Sequence, residues 1–383
     1  MKQKNSTSYL SGSARALGAL CTSVVLGAVA VGCVPNVKDP QEQSKEQLEA
    51  NQPISNAMGK ATPVPSPEAA GELPGQDIDL GADWGNITDI AAVGDVLAVR
   101  SGHRIGVGTI EQLRNNTFTT LQVNADCGDL EGAQQSFVLA CPTSLSGGAG
   151  GGEVAIIDPA RPTLEKHYTA PMPFTAATIT TDGVIIAGSA TEPDLYAFRG
   201  EDSRGAKKIQ TGRKTHQIVS SPVPDSRDAV VYIDRDTTAI QGVDYRNDQQ
   251  GAALRMGVGV GTIAAGDDGL VFAADTRGHQ FGLYTDTDVL RLHQTLPTDE
   301  SPWAIVADPQ RDAVWVASNA KNTVQPFTYN TGVPVGHGKI DTPAQVRAMA
   351  LTKQGEVVLA SENSSKIHVV SAKIADQAVD KQS

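Results

Sequence analysis

The chain has 383 residues, with 31 basic and 43 acidic side chains that give a formal net charge of −12 at neutral pH. An acidic chain without basic clusters argues against nucleic acid as a partner and against electrostatic adhesion to anionic lipid. About 300 residues follow residue 75, which is enough for one large domain or two ordinary ones.

Residues 1–32 have the features of a secretory signal peptide. Lys2, Lys4 and Arg15 precede an apolar run of small residues over 16–31, and no acidic residue interrupts them. The run is shorter than the ~20 residues with which a helix spans a bilayer. The segment carries a charge of +3, so its removal would leave a mature chain of charge −15.

Small residues followed by Cys33 resemble a bacterial lipobox, although Ala30 stands where Leu is commoner. The resemblance implies that Cys33 is the first residue of the mature chain and carries a diacylglycerol, with an acyl chain such as palmitate on the new N-terminus. We therefore expect an extracytoplasmic protein anchored to the cell membrane by lipid. The alternative is an ordinary signal peptide with a chance cysteine at this position.

Residues 33–75 comprise this cysteine and a predicted linker. Pro, Gln, Glu, Ser, Asn and Ala dominate the linker, which offers too little apolar surface to offset the entropy of ordering. We expect a disordered tether that holds the folded body away from the membrane.

Seven short apolar runs recur beyond the tether, and most follow a turn rich in Asp or Gly. They cover residues 96–99, 137–140, 184–187, 230–233, 270–273, 314–317 and 357–360, at intervals of 40 to 47 positions. A weaker strand precedes each run, a third strand follows it, and a fourth is more polar. Four strands per ~40 residues are typical of a propeller blade. The sequence therefore predicts an all-β fold, a single seven-bladed β-propeller over residues 76–374.

The ring needs a closing strand, because the last unit supplies three strands and then a short polar tail over residues 375–383. A strand-like segment at residues 76–80 stands alone before the first unit. We expect residues 78–80 to form the outer strand of the last blade, which would remove an open sheet edge.

The sixth unit carries specific motifs. Pro302 precedes its first strand, Asp308 and Pro309 form the turn, and residues 322–324 (Asn-Thr-Val) open the third strand. This arrangement is similar to the YVTN type of propeller repeat. With the lipobox, the whole chain resembles the actinobacterial LppL-like prolipoproteins, a resemblance that implies fold and location and no defined activity.

Cys127 and Cys141 are the thiols that remain beside the lipidated one after signal cleavage. They fall at adjacent ends of the first two strands of the second blade, where paired Cα atoms suit a disulfide in an oxidising compartment. Two buried free thiols are the alternative. No His lies at ligand spacing from either cysteine, so we expect no metal site there.

Propellers commonly bind ligands where their innermost strands begin, at the mouth of the central channel. In this sequence the corresponding positions are Asp89, Asp129, Thr175, His216, Thr262, Trp303 and Arg347. An aromatic ring, an arginine, a histidine and two carboxylates on one axis could hold a polar ligand. The alternative is a water-filled channel lined by ordinary polar residues.

No catalytic motif stands out. The glycine-rich residues 257–261 are followed by a short strand and not by the helix that a dinucleotide-binding loop needs. We expect no metal and no cofactor. These observations favour a non-catalytic, monomeric platform that binds an envelope protein or a small ligand. A lactonase- or hydrolase-like enzyme with its active site at the channel mouth is the alternative, because YVTN-like propellers resemble some lactonases, and a scaffold for envelope complexes is a third hypothesis.

Overall fold

The computed structural model describes residues 58–69, 71–145 and 151–381. The predicted signal peptide, the predicted lipidation site Cys33 and the first part of the predicted tether lie outside the described residues. The described residues belong to one compact unit. No helix in the described part is both long and apolar enough to cross a bilayer.

Antiparallel sheets form the body of the fold. The first strand, β1 (Gln76–Asp79), belongs to the last sheet. Blade 1 contains β2 (Asp89–Val93), β3 (Val96–Ser101), β4 (Arg104–Thr109) and β5 (Thr119–Gln122). Blade 2 contains β6 (Leu130–Ala133), β7 (Ser136–Cys141), β8 (Gly152–Ile157) and β9 (His167–Ala170). Blade 3 contains β10 (Ala176–Ile179), β11 (Ile185–Gly188), β12 (Leu195–Phe198) and β13 (Lys207–Ile209).

The remaining blades follow the same order. Blade 4 contains β14 (Gln217–Ser221), β15 (Ala229–Asp234), β16 (Ala239–Asp244) and β17 (Gln249–Arg255). Blade 5 contains β18 (Val260–Ala265), β19 (Leu270–Asp275), β20 (Gln280–Thr285) and β21 (Arg291–Pro297). Blade 6 contains β22 (Pro302–Asp308), β23 (Ala313–Ser318), β24 (Thr323–Thr328), β25 (Val335–Gly336) and β26 (Ile340–Asp341). Blade 7 contains β27 (Val346–Leu351), β28 (Val357–Ser361), β29 (Lys366–Val370) and β1.

The predicted seven-bladed propeller is confirmed. Each apolar run of the sequence is the second strand of its blade, and such strands are buried along their whole length, as in β15. Consecutive residues of this strand pack on opposite neighbours, Val230 towards blade 3 and Val231 towards blade 5. Because both faces of the strand are covered, its sequence is continuously apolar and does not alternate. The outer strand β17 alternates in burial, since water reaches part of it.

The hydrophobic core is a circle of clusters, each shared by two adjacent blades. The cluster between blades 7 and 1 completes the circle and contains Val358, Leu97 and Ile78. Ile78 and Leu80 are 3 % and 6 % exposed, so the segment that precedes blade 1 is part of this cluster. The ring is therefore closed by side-chain packing as well as by strand pairing.

Strand β1 pairs antiparallel with β29, Gln76 opposite Val369 and Asp79 opposite Lys366. The predicted ring closure is thus confirmed, although the strand begins two residues earlier than expected and ends one residue earlier, at Asp79. His368 fixes the point where the chain enters the ring. Its Nδ1 lies 2.7 Å from Asp77 Oδ1 and its Nε2 lies 3.0 Å from the carbonyl oxygen of Pro74.

The predicted disulfide between Cys127 and Cys141 is confirmed, with Cα atoms 4.0 Å apart and a sequence separation of 14 residues. Cys127 lies in the loop before β6 and not in the first strand of the blade, whereas Cys141 ends β7 as expected. In the chain-entropy account, closing a loop of this size stabilises a fold by about 3 kcal/mol. The bridge also holds the loop that supplies carbonyl groups to the channel mouth.

Two sequence expectations need correction. Residues 375–383 were expected to form a polar tail, but α2 (Ala372–Asp380) covers most of them. Ala375 and Ala378 are buried against blades 6 and 7. Ile374, Ala375, Ala378 and Val379 recur at helical spacing and form the face that packs on the propeller. So short a helix depends on that packing for its stability. The other described α-helix is a single turn, α1 (Ile110–Arg114), with a capping box between Thr109 and Gln112.

The second correction concerns the tether, which was expected to lack fixed contacts up to residue 75. Residues 58–69 instead lie on the propeller. Val64 N donates to Ser301 Oγ at 3.0 Å, and Asn322 Nδ2 donates to the carbonyl oxygen of Pro67 at 2.9 Å. A polar segment with little apolar surface can still be ordered when the folded surface beside it supplies hydrogen-bonding partners.

Candidate functional site

The central channel contains a cavity of about 880 Å³. It follows the innermost strands from their first residues, such as Asp89, to their last, such as Leu351. A second cavity of about 380 Å³ lies at the mouth beside blades 1 to 4. Asp89, Asp129 and Arg235 line both cavities, so they stand where the two volumes meet.

The structure brings all seven predicted positions to this mouth. The larger cavity is lined by Asp89, Asp129, Thr262, Trp303 and Arg347. The smaller cavity adds Thr175 and His216. They converge because each one stands at the first residues of an innermost strand, and these strands surround the channel axis. Whether they bind a ligand stays a prediction.

Three carboxyl groups lie close together in the channel wall, those of Asp89, Asp129 and Glu131. Asp89 accepts hydrogen bonds from the backbone nitrogens of Ile90 at 2.8 Å and Leu130 at 2.9 Å. Burial raises the pKa of Asp89 to about 6. Burial, together with the charge of Asp89, raises the pKa of Asp129 to about 8. Burial also raises the pKa of Glu131 well above its usual range.

Two arginines face these acids. The guanidinium of Arg100 donates to the carbonyl oxygens of Cys127 and Gly128 in the disulfide-held loop. Arg235 Nε donates to the carbonyl oxygen of Gly261 at 2.6 Å, and its guanidinium lies 5.1 Å from the ring centroid of Trp303. Burial lowers the pKa of both arginines, and the neighbouring carboxyl groups oppose that shift. The cation over the indole ring is an attractive contact that keeps Arg235 in place.

The acids and the arginines influence each other without touching. Among the described residues, no ion pair of 4 Å or less joins Arg100 or Arg235 to the three carboxyl groups. Asp129 Oδ2 is buried and has no hydrogen-bond partner within the described ranges. A buried acceptor without a donor costs free energy, and native structures contain few of them. A ligand with a donor for Asp129 would remove that cost.

His216 contributes as a neutral ring. Its Nδ1 accepts a hydrogen bond from the backbone nitrogen of Arg235 at 3.1 Å, and its side chain is 6 % exposed. Burial and the charge of Arg235 lower the pKa of His216 to about 4. At neutral pH its approaches of 3.8 Å to Asp234 and 3.7 Å to Asp236 are therefore not ion pairs. The ring holds the turn that carries Arg235.

Two of the predicted positions are engaged in contacts between blades. Thr175 Oγ1 donates to the carbonyl oxygen of Thr215 at 3.3 Å and accepts from the backbone nitrogen of Ala190 at 2.7 Å. Thr262 Oγ1 donates to the carbonyl oxygen of Trp303. These hydroxyl groups hold neighbouring blades together, which leaves them little capacity for a ligand.

Arg347 is held at the rim of the mouth. Its Nε donates to Glu362 Oε2 at 2.7 Å and its Nη2 donates to Gln345 Oε1 at 2.7 Å. Its Nη1 atom is buried with no partner in the described part of the chain. This nitrogen, like Asp129 Oδ2, is a polar atom of a mouth residue that has no partner in the described part of the chain.

Sequence reasoning missed Arg100, Glu131 and Arg235. It considered only the first residue of each innermost strand, whereas Arg235 lies in the turn after the second strand of blade 4 and Arg100 lies within the second strand of blade 1. A signal was present, because Arg100 is a charge inside the otherwise apolar run of β3. The described residues include no group of three or more His, Cys, Asp or Glu placed to hold a metal ion.

Comparisons with known proteins give structural matches only. No family model matches the chain, and no curated protein matches it. A structure of streptogramin B lyase aligns with a TM-score of 0.60 and 13 % identity over 77 % of this chain and 96 % of that one. The WD40 β-propeller domain of Doa1 aligns at 0.56 and 13 %, over 78 % and 96 % of the two chains. The β-propeller domain of Cps50 (Swd1) from Myceliophteria thermophila aligns at 0.58 and 11 %, over 79 % and 99 %. At these identities the likeness shows the β-propeller fold alone.

Proposed function

We propose that this protein is an exported, lipid-anchored lipoprotein whose propeller binds a small zwitterionic ligand, such as an amino acid or a short peptide, in its central channel. One observation supports a zwitterionic ligand. Asp129, whose buried Oδ2 has no partner among the described residues, and Arg235 line the same cavity without forming an ion pair with each other. A molecule with a positive and a negative end can bridge that gap.

The chemistry of each end follows from the channel wall. Among the described residues, the terminal nitrogens of Arg235 have no hydrogen-bond partner, because its one bond is made by Nε. A planar guanidinium binds a carboxylate through two parallel hydrogen bonds. A ligand ammonium would donate to Asp129 and lie near Asp89. It would favour the ionised carboxylate, so binding would release the proton that burial keeps on Asp129.

Ligand binding is tested by calorimetric titration of the full mature protein with the common amino acids and with alanyl-alanine. We expect at least one of them to bind, and N-acetylation or C-terminal amidation to abolish its binding. The variants Asp129→Asn and Arg235→Gln should weaken it roughly tenfold or more, the loss expected for a buried charged hydrogen bond. Asp83→Asn and Arg161→Gln, at exposed positions, are the matched controls. Binding by none of these compounds, or equal binding by all variants, would contradict the proposal.

The lipid anchor is supported by the signal-like segment and the lipobox resemblance at Cys33. Replacing Cys33 with Ala should abolish incorporation of labelled palmitate and move the protein from the membrane fraction to the soluble fraction. The Cys21→Ala variant is the control, because Cys21 lies in the segment that is removed. Labelling of Cys33→Ala at the wild-type level would contradict lipidation at this residue.

A hydrolase is the second candidate, and the pKa of Asp129 favours it. A carboxyl group with a pKa of about 8 holds its proton at neutral pH, as a general acid must. Water could then attack the carbonyl carbon of a lactone or ester bound beside Arg235, and Asp129 would give its proton to the alkoxide oxygen that leaves as the C–O bond breaks. Hydrolysis of a simple lactone that falls roughly 100-fold or more in Asp129→Asn would favour this candidate. Ligand binding without turnover favours the first.

A further inference from the structure

The segment over residues 58–67, which we name the strap, has no part in the function described so far. We propose that the strap is a releasable cover of the channel mouth, and that it moves aside before a ligand reaches Asp129 and Arg235. The identity of the ligand that passes this cover rests on the proposed function. The cover itself is testable without any ligand.

The position of the strap places it over the mouth. Thr62 and Pro63 line the larger cavity together with the channel residues. Lys60 is near enough to blade 4 for its charge to act there, adding to the effect of burial that lowers the pKa of His216. The strap therefore spans the mouth from the side of blade 4 to the side of blade 7.

Arg255 Nη1, in blade 4, donates to Met58 Sδ at 3.0 Å. Further hydrogen bonds hold the strap on blades 5, 6 and 7, and most of them involve a side chain. They run from Gly59 N to the carbonyl oxygen of Val258 (3.2 Å), from Val64 N to Ser301 Oγ (3.0 Å), from Gln345 N to Ser66 Oγ (2.9 Å) and from Asn322 Nδ2 to the carbonyl oxygen of Pro67 (2.9 Å). Blades 6 and 7 thus recognise an extended segment of this chain.

The same contacts explain why the strap can leave. Ala61 is its one fully buried residue, at 1 % exposure, within the described ranges. A single methyl group contributes little hydrophobic free energy. The prolines at 63, 65 and 67 keep the released segment extended, so docking costs less backbone entropy than it would for a flexible chain. Weak attachment at low entropic cost is suited to reversible docking.

The strap also satisfies its groove incompletely. The Oδ1 atoms of Asn319 and Asn322 are buried and have no partner among the described residues, although both amides donate to the strap. Pro65 and Pro67 have no N–H group that could serve these acceptors. In the covered state these two acceptors carry the cost of an unmade hydrogen bond.

The test uses the full mature chain with Ala61→Asp, which places a charge at the buried position of the strap. Ala69→Asp is the matched control, because Ala69 is exposed. Acrylamide quenching of tryptophan fluorescence reports on Trp303 at the mouth, since Trp84 and Trp315 are only 8 % and 0 % exposed. Amide exchange at Gln345, whose N–H is bonded to Ser66, reports on docking directly.

We expect Ala61→Asp to raise the quenching constant roughly twofold and amide exchange at Gln345 roughly tenfold, with an unchanged melting temperature. Ala69→Asp should match wild type, and deletion of residues 58–67 should match Ala61→Asp. Wild-type quenching and exchange in both strap variants would overturn the inference. A large fall in melting temperature in both would also overturn it, because the strap would then be part of the fold. If quenching rises as expected but no amino acid binds, the proposed function fails while the cover stands.

Discussion

Deletion of residues 76–82 is expected to lower the melting temperature by roughly 10 °C or more, or to prevent folding. The deletion removes β1, so β29 becomes an open edge of blade 7. It also removes Ile78 and Leu80 from the cluster that joins blade 7 to blade 1. The loss of one such side chain costs about 2–5 kcal/mol, and the loss of both with their strand exceeds about 5 kcal/mol. Thermal unfolding of the soluble mature chain measures the effect.

The control is a deletion of the same length within the predicted linker, residues 40–46. It shortens the chain equally and removes no residue from the ring. We expect its melting temperature to match that of wild type. If the 76–82 deletion also left the melting temperature unchanged, the ring would be held closed without its N-terminal strand.

Replacing Asp129 with Asn should stabilise the protein at alkaline pH. The carboxyl group has a pKa of about 8 in the folded protein, against an ordinary value of 3.8. Between those values the unfolded chain releases the proton first, so the folded state loses stability as the pH rises from about 4 to about 8. For every two pH units within this range, the free energy of unfolding falls by about 3 kcal/mol. That loss corresponds to roughly 6 °C in melting temperature for a domain of this size. The Asn variant should avoid this loss.

Melting curves at pH 4 and pH 9 measure the difference in melting temperature between Asp129→Asn and wild type. The gain of Asp129→Asn over wild type should be small at pH 4 and several degrees larger at pH 9. Asp83→Asn removes an exposed carboxyl group and should follow wild type at both values. A gain for Asp129→Asn that is equal at the two pH values would mean that the side chain is not kept protonated by its surroundings.

The ring could be predicted from the sequence because each blade has one strand that is buried on both faces. Such a strand must be continuously apolar, and Val230, Val231 and their counterparts recur at the length of one blade. The closing strand could be predicted because the last unit lacks a fourth strand and the strand-like residues 76–80 stand alone before the first unit. The helix α2 was missed because its apolar face, which includes Ala375 and Ala378, is only two turns long and lies in a segment that otherwise looks polar.

The candidate site was predictable in position and only partly in composition. Asp129 and Trp303 are found at the mouth because the start of each innermost strand fixes where its side chains lie. Arg235 reaches the same place from a different turn, and its role depends on contacts with Gly261 and Trp303 in neighbouring blades. Periodicity along one chain carries no information on such contacts. The strap escaped prediction for the same reason, since its partners Ser301 and Gln345 are more than 200 residues away.

The proposed binding site depends on the buried carboxyl group of Asp129, which keeps its proton until the positive end of a ligand binds beside it. Carbon-13 NMR titration of the Asp129 carboxyl group, in the free protein and with a bound amino acid, tests it directly. We predict a midpoint near pH 8 for the free protein and a clearly lower midpoint with the ligand bound. A midpoint near the ordinary value of 3.8 in both states would contradict the claim.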